Sequence, residues 1–331
     1  SDRTINTTTH SQNYFFFFHL FYIGILINNS MSSNQSHSAI IFGSISIDRI
    51  ENIHGSFNKV LGGSAAYALL ANPKKTCELV GVVGNDFSDN HFKMLNDHSI
   101  STESLTQIKG NTFCWGGKYE DDFSRRKTLY VDPGVSDLYI PKLSDNSKNC
   151  SYILLGNTAP HLQMNLLNQM NSKPFVMLDT FQLYIDIANK ELKDLIKLTD
   201  LLCINFNEAI SLSELNYPTI DEMAKKILDL GPKNLIIKDG ENGSSFFNAK
   251  EKFSIKAYPI KRVRDTTGAG DSYIGGVLLG MSRGMNIFES MKMGAVMASF
   301  CIEGIGTEGL ANIDEEDIAL SKEWMDKNHT S

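Results

Sequence analysis

The chain has 331 residues and a formal net charge of −7, which allows one large domain with a substantial buried core. An acidic chain without a long run of lysine and arginine is not expected to bind nucleic acid. The five cysteines form no CxxC pair, which argues against a zinc site or a disulfide scaffold and indicates a reducing, cytoplasmic location.

The first 30 residues differ in character from the rest of the chain. Residues 14–27 form an almost uninterrupted apolar run, which is shorter than the roughly 20 residues of a membrane span. Arg3 is the only Lys or Arg before this run and no small-residue cleavage site follows it, so the run also fits a secretory signal poorly. We therefore expect residues 1–30 to be a non-native or disordered extension, and we expect no membrane partner.

From residue 39 onward, short apolar strands alternate with helical segments. Strands are predicted at residues 39–42, 77–83, 152–155, 175–178, 201–204 and 235–237. Helices are predicted at residues 63–71, 86–96, 162–170, 192–198 and 220–230, and then at 271–283, 287–302 and 315–324. This alternation is typical of an α/β fold with a mostly parallel sheet, and we place its domain at residues 38–326.

Two polar segments interrupt the alternation. Residues 47–60 and 112–131 lack a helical period and contain scattered aromatic residues, such as Trp115 and Tyr130. We expect them to form hairpin strands off the main sheet, as a small β-lid over a ligand site. Ordinary surface hairpins are the alternative. Arg125 and Arg126, in the second segment, are expected to be solvated rather than closed over a phosphate.

The most informative segment is DTTGAGD at residues 265–271. It begins a predicted helix, where unpaired backbone N–H groups and the helix dipole favour an anion. Gly268 and Gly270 carry no Cβ, so a phosphate can approach the main chain closely. Asp271 would repel that phosphate but can accept a proton from an attacking hydroxyl. The pattern predicts phosphoryl transfer to an alcohol, and a turn that only caps a buried helix is the alternative.

Further motifs make the chain resemble a known family. Asp48 follows the first strand, Gly62 and Gly63 precede a helix, and Asn205 and Glu208 follow a later strand. With DTTGAGD, these residues resemble the ribokinase-like (PfkB) family of carbohydrate and nucleoside kinases over residues 39–309. The resemblance implies a three-layer α/β/α fold with a mostly parallel central sheet and a small β-lid. It also implies a kinase that uses ATP and Mg²⁺ and phosphorylates a sugar or sugar-like acceptor. A nucleoside kinase and a non-catalytic sugar- or nucleotide-binding regulator stay open as alternatives.

The resemblance implies a role for each matching residue. Asp271 is the catalytic base, beside the anion hole of Gly268, Ala269 and Gly270. The acceptor pocket is formed by Asp48, Gly62 and Gly63. Glu208 holds Mg²⁺ through water, and the residues implied at the nucleotide are Asn205, Glu208, Lys238, Gly240, Gly243 and Thr266. For residues 238–243 a plain hairpin turn is the alternative, because Asn-Gly is a favoured hairpin dipeptide.

Two further residues are candidates for contact with the acceptor. Tyr67 stands four positions beyond Gly63, where many sugar kinases of the family have Asn. A tyrosine offers one hydroxyl and a stacking face, so it suits a bulkier acceptor or a base, or simply fills the core. Asp179 ends a strand at the edge where such folds place ligands.

Residues 304–309 match GxGxxG, but they follow a helix rather than a strand, so we predict no dinucleotide site there. The resemblance places this region near the adenine and near a site for a monovalent cation such as K⁺. Because family lids often contribute to dimers, a homodimer formed through the lid is a further expectation.

Overall fold

The computed structural model describes residues 39–73, 75–120, 123 and 125–329. The extension predicted at residues 1–30 lies outside this part of the chain. The strands in the described part are β1 (Ala39–Phe42), β2 (Ser46–Asn52), β3 (Gly55–Gly62), β4 (Cys77–Gly84), β5 (Leu105–Ile108), β6 (Cys114–Tyr119), β7 (Arg126–Asp132), β8 (Tyr152–Leu155), β9 (Phe175–Leu178), β10 (Leu201–Asn205), β11 (Asn234–Lys238), β12 (Ser244–Asn248) and β13 (Lys252–Ile255).

The α-helices in the same residues are α1 (Ser64–Leu70), α2 (Asp89–His98), α3 (Pro160–Leu167), α4 (Gln182–Ile187), α5 (Asn189–Ile196), α6 (Phe206–Ser213), α7 (Ile220–Leu228), α8 (Ala269–Ser282), α9 (Ile287–Ile302), α10 (Glu308–Ala311) and α11 (Glu315–Asn328). The helix predicted at residues 86–96 begins later, at Asp89, because the Ser88 side chain caps it by accepting a hydrogen bond from the His91 N–H.

Nine of the described strands form one central sheet in the order β13-β12-β11-β10-β9-β8-β1-β4-β5. From β11 to β5 every neighbouring pair is parallel. Strands β12 and β13 extend one edge in antiparallel fashion. The mostly parallel α/β sheet predicted from the sequence is therefore confirmed.

Alternate residues of the central strands enter two separate hydrophobic cores. On β1, Ile41 joins the core that contains residues of α1, α8 and α9. Ile40 and Phe42 join the other core, which contains residues of α5, α6 and α7. Because side chains alternate across a strand, helices cover both faces of the sheet. This gives the three layers expected of the fold.

The polar segments 47–60 and 112–131 supply a separate four-stranded sheet, which we call the small sheet, in the order β3-β2-β6-β7. Strand β2 pairs with β3 in antiparallel and with β6 in parallel fashion, and β7 is the outer strand. At the β2–β3 turn, Asn52 Nδ2 donates to the Arg264 carbonyl at 2.9 Å. The turn therefore contacts the backbone that leads into residues 265–271.

Two further features of the described residues concern membrane spans and cysteines. No helix in this part of the chain has the length and apolar character needed to cross a membrane. All five cysteines lie in it, and each is a free thiol.

Candidate active site

Three neighbouring strands of the central sheet bring charged side chains to one edge. Asp179 follows β9, Glu208 lies in the first turn after β10, and Lys238 ends β11. Because β9, β10 and β11 are adjacent and parallel, their carboxyl ends meet at the same place. Lys238 Nζ lies 2.7 Å from Asp179 Oδ2; the Asp179 side chain is buried and the Lys238 side chain is 12% exposed. Burial opposes the charge of Lys238, but the neighbouring acidic groups, Asp179 first among them, together outweigh it and raise the lysine pKa above its usual range.

Asn205 and Glu208 cap helix α6 reciprocally. The Glu208 N–H donates to Asn205 Oδ1 at 2.9 Å, and the Asn205 N–H donates to Glu208 Oε2 at 2.9 Å. This capping box fixes the Glu208 side chain at the sheet edge. Burial first, and the charge of Asp179 second, raise the pKa of Glu208 to about 7. A cation placed beside this carboxylate would favour its ionised form.

The predicted anion turn begins helix α8. Gly268 has a φ of 76°, which a residue with a Cβ adopts only with strain. The turn is shaped by Asp265, which is 1% exposed. Asp265 Oδ1 accepts from the N–H of Thr267 at 2.9 Å and from its Oγ1 at 2.7 Å. Asp265 Oδ2 accepts from the N–H of Gly306 at 2.8 Å. Asp265 therefore holds the turn in place rather than facing a ligand.

Asp271 lies in the first turn of α8, directly after Gly268, Ala269 and Gly270. Burial first, and repulsion from Asp179 second, raise the pKa of Asp271 to about 7. A carboxylate with this pKa is a stronger base than an ordinary aspartate, and it suits proton abstraction near neutral pH. A Cβ built on Gly270 would lie 3.1 Å from Lys238 Nζ, so the lysine ammonium reaches the turn as well.

The acceptor candidates Asp48, Gly62 and Gly63 lie together where the small sheet joins α1. Asp48 is buried, and its Oδ1 accepts from the Trp115 N–H at 3.2 Å. A Cβ on Gly62 would overlap the Asp48 carboxylate. Gly63 has a φ of 93°, and a Cβ there would overlap the Ser44 carbonyl. Burial raises the pKa of Asp48 to about 7, against the effect of its hydrogen bonds.

Tyr67 connects the acceptor candidates to the anion turn. It lies on α1, one turn after Gly63, and a Cβ on Gly268 would overlap its ring. The ring therefore packs directly against the turn. The Tyr67 hydroxyl is buried and has no hydrogen-bond partner among the described residues. Burial raises the pKa of this hydroxyl well above the usual value. The hydroxyl is therefore neutral, and it can still donate a hydrogen bond.

The remaining nucleotide candidates have local structural explanations. Residues 239–243 form the hairpin turn between β11 and β12, in which Gly240 and Gly243 have φ values of 53° and 93°. A Cβ on Gly243 would overlap the Ile255 carbonyl, whereas the space beside Gly240 is open. The Thr266 carbonyl accepts from the Ala269 N–H at 3.3 Å and closes the anion turn. Their contact with a nucleotide stays a prediction.

Sequence reasoning assigned no role to Asp265 beyond the turn, to Tyr119, or to Arg126 beyond solvation. The Tyr119 hydroxyl lies 2.8 Å from Thr267 Oγ1. The Arg126 guanidinium is exposed, yet it lies 5.0 Å from the Trp115 ring and 5.6 Å from the Phe181 ring. These contacts join residues far apart in sequence, and no local pattern signals them.

The donor set fits a Mg²⁺ ion that keeps most of its water. Within the described part of the chain, no group of three or more His, Cys, Asp or Glu side chains is arranged to hold a metal ion. Mg²⁺ commonly uses one or two carboxylates together with water and substrate phosphates. Glu208, buried at the edge with a raised pKa, is a carboxylate of this kind.

Comparisons with known proteins show the family of this chain. Residues 36–313 match the model of the pfkB family carbohydrate kinases. A nucleoside kinase of Methanocaldococcus jannaschii is 24% identical over 256 residues, which cover 76% of this chain and 82% of that protein. A ribokinase of Lactococcus lactis is 25% identical over 291 residues, which cover 81% of this chain and 92% of that protein.

A solved structure shows that the fold itself is shared. The structure of Arabidopsis thaliana ribokinase complexed with ribose and ATP superposes with a TM-score of 0.70 at 18% identity. The match covers 86% of this chain and 98% of that one. The fold expected from the resemblance is therefore confirmed.

Proposed function

The chain belongs to the pfkB family of carbohydrate kinases, and we propose that it transfers the γ-phosphate of Mg·ATP to a hydroxyl of a sugar or sugar-like acceptor. One observation carries this proposal. The Tyr67 ring packs against Gly268, and Tyr67 lies one helical turn after Gly63, so the acceptor candidates lie close to the anion turn and its base. A hydroxyl held at Asp48 would then meet a phosphate held at the turn.

Each residue of the site has a simple task in this reaction. Asp48 accepts hydrogen bonds from acceptor hydroxyls, which is a charge-assisted contact. Asp271 takes the proton of the attacking hydroxyl. The N–H groups of the Gly268–Gly270 turn and the Lys238 ammonium stabilise charge on the phosphate oxygens. Mg²⁺, held by Glu208 through water, supplies further charge neutralisation on the phosphates.

We propose that the nucleotide lies along the hairpin turn beyond β11. Asn205 and Lys238 stand at the carboxyl ends of neighbouring strands, and the space beside Gly240 is open. Gly243 and Thr266 shape the two turns around it. A monovalent cation such as K⁺ would bind near residues 304–309, where Gly306 already contacts the anion turn through Asp265. Turnover in KCl, compared with a tetramethylammonium salt, tests the cation.

We also propose that the small sheet is a lid and that it pairs with a second copy of the chain. Its outer strand β7 is exposed along its whole length, including Leu129, Tyr130 and Val131. An exposed apolar edge strand is a template for strand pairing. We expect a dimer in light scattering that Val131→Lys weakens, and a monomeric wild-type chain would contradict this. The free thiols fit a cytoplasmic location.

A nucleoside is the second candidate acceptor. Tyr67 replaces the amide expected for a sugar, and Trp115 is next to Asp48, whose Oδ1 accepts from the Trp115 N–H at 3.2 Å. An aromatic side chain beside the acceptor candidates favours stacking with a nucleobase. This observation supports a nucleoside as the alternative to a small sugar.

The decisive experiment is a panel of sugars and nucleosides assayed for ADP release with Mg·ATP. We expect at least one acceptor to stimulate ADP release above the rate with ATP alone, and Asp271→Asn to abolish that stimulation. ATP binding without turnover of any acceptor would instead indicate a non-catalytic regulator.

A further inference from the structure

The charges of two cations act on the base Asp271. The charges of Lys238 and Arg126 both lower the pKa of Asp271 against the effect of burial. The Lys238 side chain is only 12% exposed and is already paired with Asp179 at 2.7 Å. Arg126 comes from the small sheet, and its side chain stays exposed to solvent and therefore to a ligand. Arg126 is thus the more available cation for a new anion.

Contacts from both sheets hold the Arg126 guanidinium. Trp115 is on β6 of the small sheet, with its ring 5.0 Å away. Phe181 follows β9 of the central sheet, two residues after Asp179, with its ring 5.6 Å away. Cation–π contacts of this length hold a guanidinium in place without neutralising its charge. Arg126 therefore spans the gap between the two sheets.

Strand pairing places Arg126 opposite Tyr119, whose hydroxyl contacts the anion turn. Arg126 and Tyr119 are paired residues of β7 and β6. The Tyr119 hydroxyl lies 2.8 Å from Thr267 Oγ1. Because Thr267 Oγ1 donates to Asp265, the Tyr119 hydroxyl must donate to Thr267. The charge of Arg126 also lowers the pKa of Asp48, so it acts on both the acceptor side and the base.

We propose that Arg126 is a catalytic residue of phosphoryl transfer, whose guanidinium contacts the oxygens of the transferring phosphoryl group. This inference rests on the proposed kinase function. In the step, a bond forms between the acceptor oxygen and the γ-phosphorus while the bond from that phosphorus to the ADP oxygen breaks. The hydroxyl proton passes to Asp271, and Arg126 exchanges no proton. Its planar donors match the phosphoryl oxygens, and an arginine in this role accelerates other phosphoryl transfers by about 10³–10⁵-fold.

The test compares Arg126→Ala and Arg126→Lys with Arg125→Ala. Arg125 is the matched control, because it is the neighbouring exposed residue and its replacement changes net charge equally. We expect Arg126→Ala to lower kcat by about 10²–10³-fold and to change the KM for ATP less than about threefold. Arg126→Lys should recover only part of this loss, since an ammonium lacks the bidentate geometry. Arg125→Ala should stay within about twofold of wild type.

Two kinetic results would overturn the inference. One is a kcat of Arg126→Ala equal to that of Arg125→Ala. The other is an effect confined to the acceptor KM, which would assign Arg126 to acceptor binding alone. Added guanidinium ion should restore part of the Arg126→Ala activity and none of the Asp271→Asn activity.

A binding measurement separates this inference from the proposed function and needs no acceptor. MgADP with tetrafluoroaluminate mimics the transferring phosphoryl group. We expect Arg126→Ala to bind this complex at least about 30-fold more weakly than wild type and to bind MgADP alone equally well. Equal affinity of the two proteins for the fluoride complex would refute the role of Arg126, even if wild type phosphorylates an acceptor. Wild type that binds the mimic through Arg126 but turns over no acceptor would support the contact of Arg126 with the phosphoryl group and refute the proposed function.

Discussion

Asp271→Asn tests both the base role of Asp271 and the energetic cost of its burial. Burial, and second the charge of Asp179, raise the pKa of Asp271 from 3.8 to about 7. Between these values the folded protein binds the proton more tightly than the unfolded chain does. The free energy of unfolding of the wild type therefore falls as the pH rises from about 4 to about 7. In Asp271→Asn the side chain does not titrate, so the variant should not lose stability in this way as the pH rises.

The magnitude follows from the size of the shift. A difference of about three pKa units corresponds to about 4 kcal/mol. Because Asp271 retains some exposure to water, solvent screening reduces the expected effect to about 2 kcal/mol. We expect Asp271→Asn to be more stable than wild type by this amount at pH 8, and the difference to disappear near pH 4. Urea denaturation at several pH values measures it.

Asp97→Asn is the control for this experiment. Asp97 is exposed, and its hydrogen bond with Lys93 lowers its pKa, so its replacement should bring no gain in stability at pH 8. The same Asp271→Asn protein should lose about 10²–10⁴-fold in kcat. In wild type, kcat/KM should fall below about pH 7 as carboxylates of the site become protonated. Equal stability at pH 8 would refute the burial argument, and near-wild-type turnover would refute the base role.

Three further substitutions test other parts of the site. Gly268→Ala forces a Cβ into the Tyr67 ring at a positive φ, and we expect a loss of about 1–3 kcal/mol in urea denaturation; an unchanged midpoint would contradict it. Tyr67→Phe removes a hydroxyl without a partner, so stability should hold or rise while the acceptor KM increases, and an unchanged KM would exclude acceptor contact. Lys238→Met leaves Asp179 buried and unpaired, which should cost about 3–5 kcal/mol. Adding Asp179→Asn should recover part of that cost, and additive losses in the double-mutant cycle would refute the pairing.

The central strands could be located from the sequence because buried parallel strands appear as short apolar runs. Strands β8 and β9 begin and end at the predicted residues, 152–155 and 175–178. Strands β5 and β13 were not predicted, since Leu105–Ile108 and Lys252–Ile255 are short, partly polar edge strands. They are formed by pairing with β4 and β12 rather than by a strong local pattern.

The candidate site also has parts that a local sequence pattern reveals and parts that it does not. DTTGAGD identifies an anion turn and a base from adjacent residues, because helix N-terminus chemistry is local. The packing of Tyr67 on Gly268 joins residues about 200 positions apart, and the contact of Arg126 with Phe181 joins two separate sheets. Such contacts depend on tertiary structure, so no local spacing in one sequence reveals them. Recognition of the acceptor depends on tertiary contacts of this kind, and for that reason the reaction type was easier to predict than the substrate.

The capping box of Asn205 and Glu208 has a consequence for how this motif evolves. Both side chains stabilise the start of α6 through hydrogen bonds that need no ligand. A descendant of this protein that had lost phosphoryl transfer would still be under selection to keep Asn205, because replacing a cap residue costs about 1 kcal/mol of stability. For Asp271 the selection is reversed, since burial of its charge destabilises the fold and no capping hydrogen bond offsets that cost. In a lineage without the activity, Asp271 should therefore be lost before Asn205.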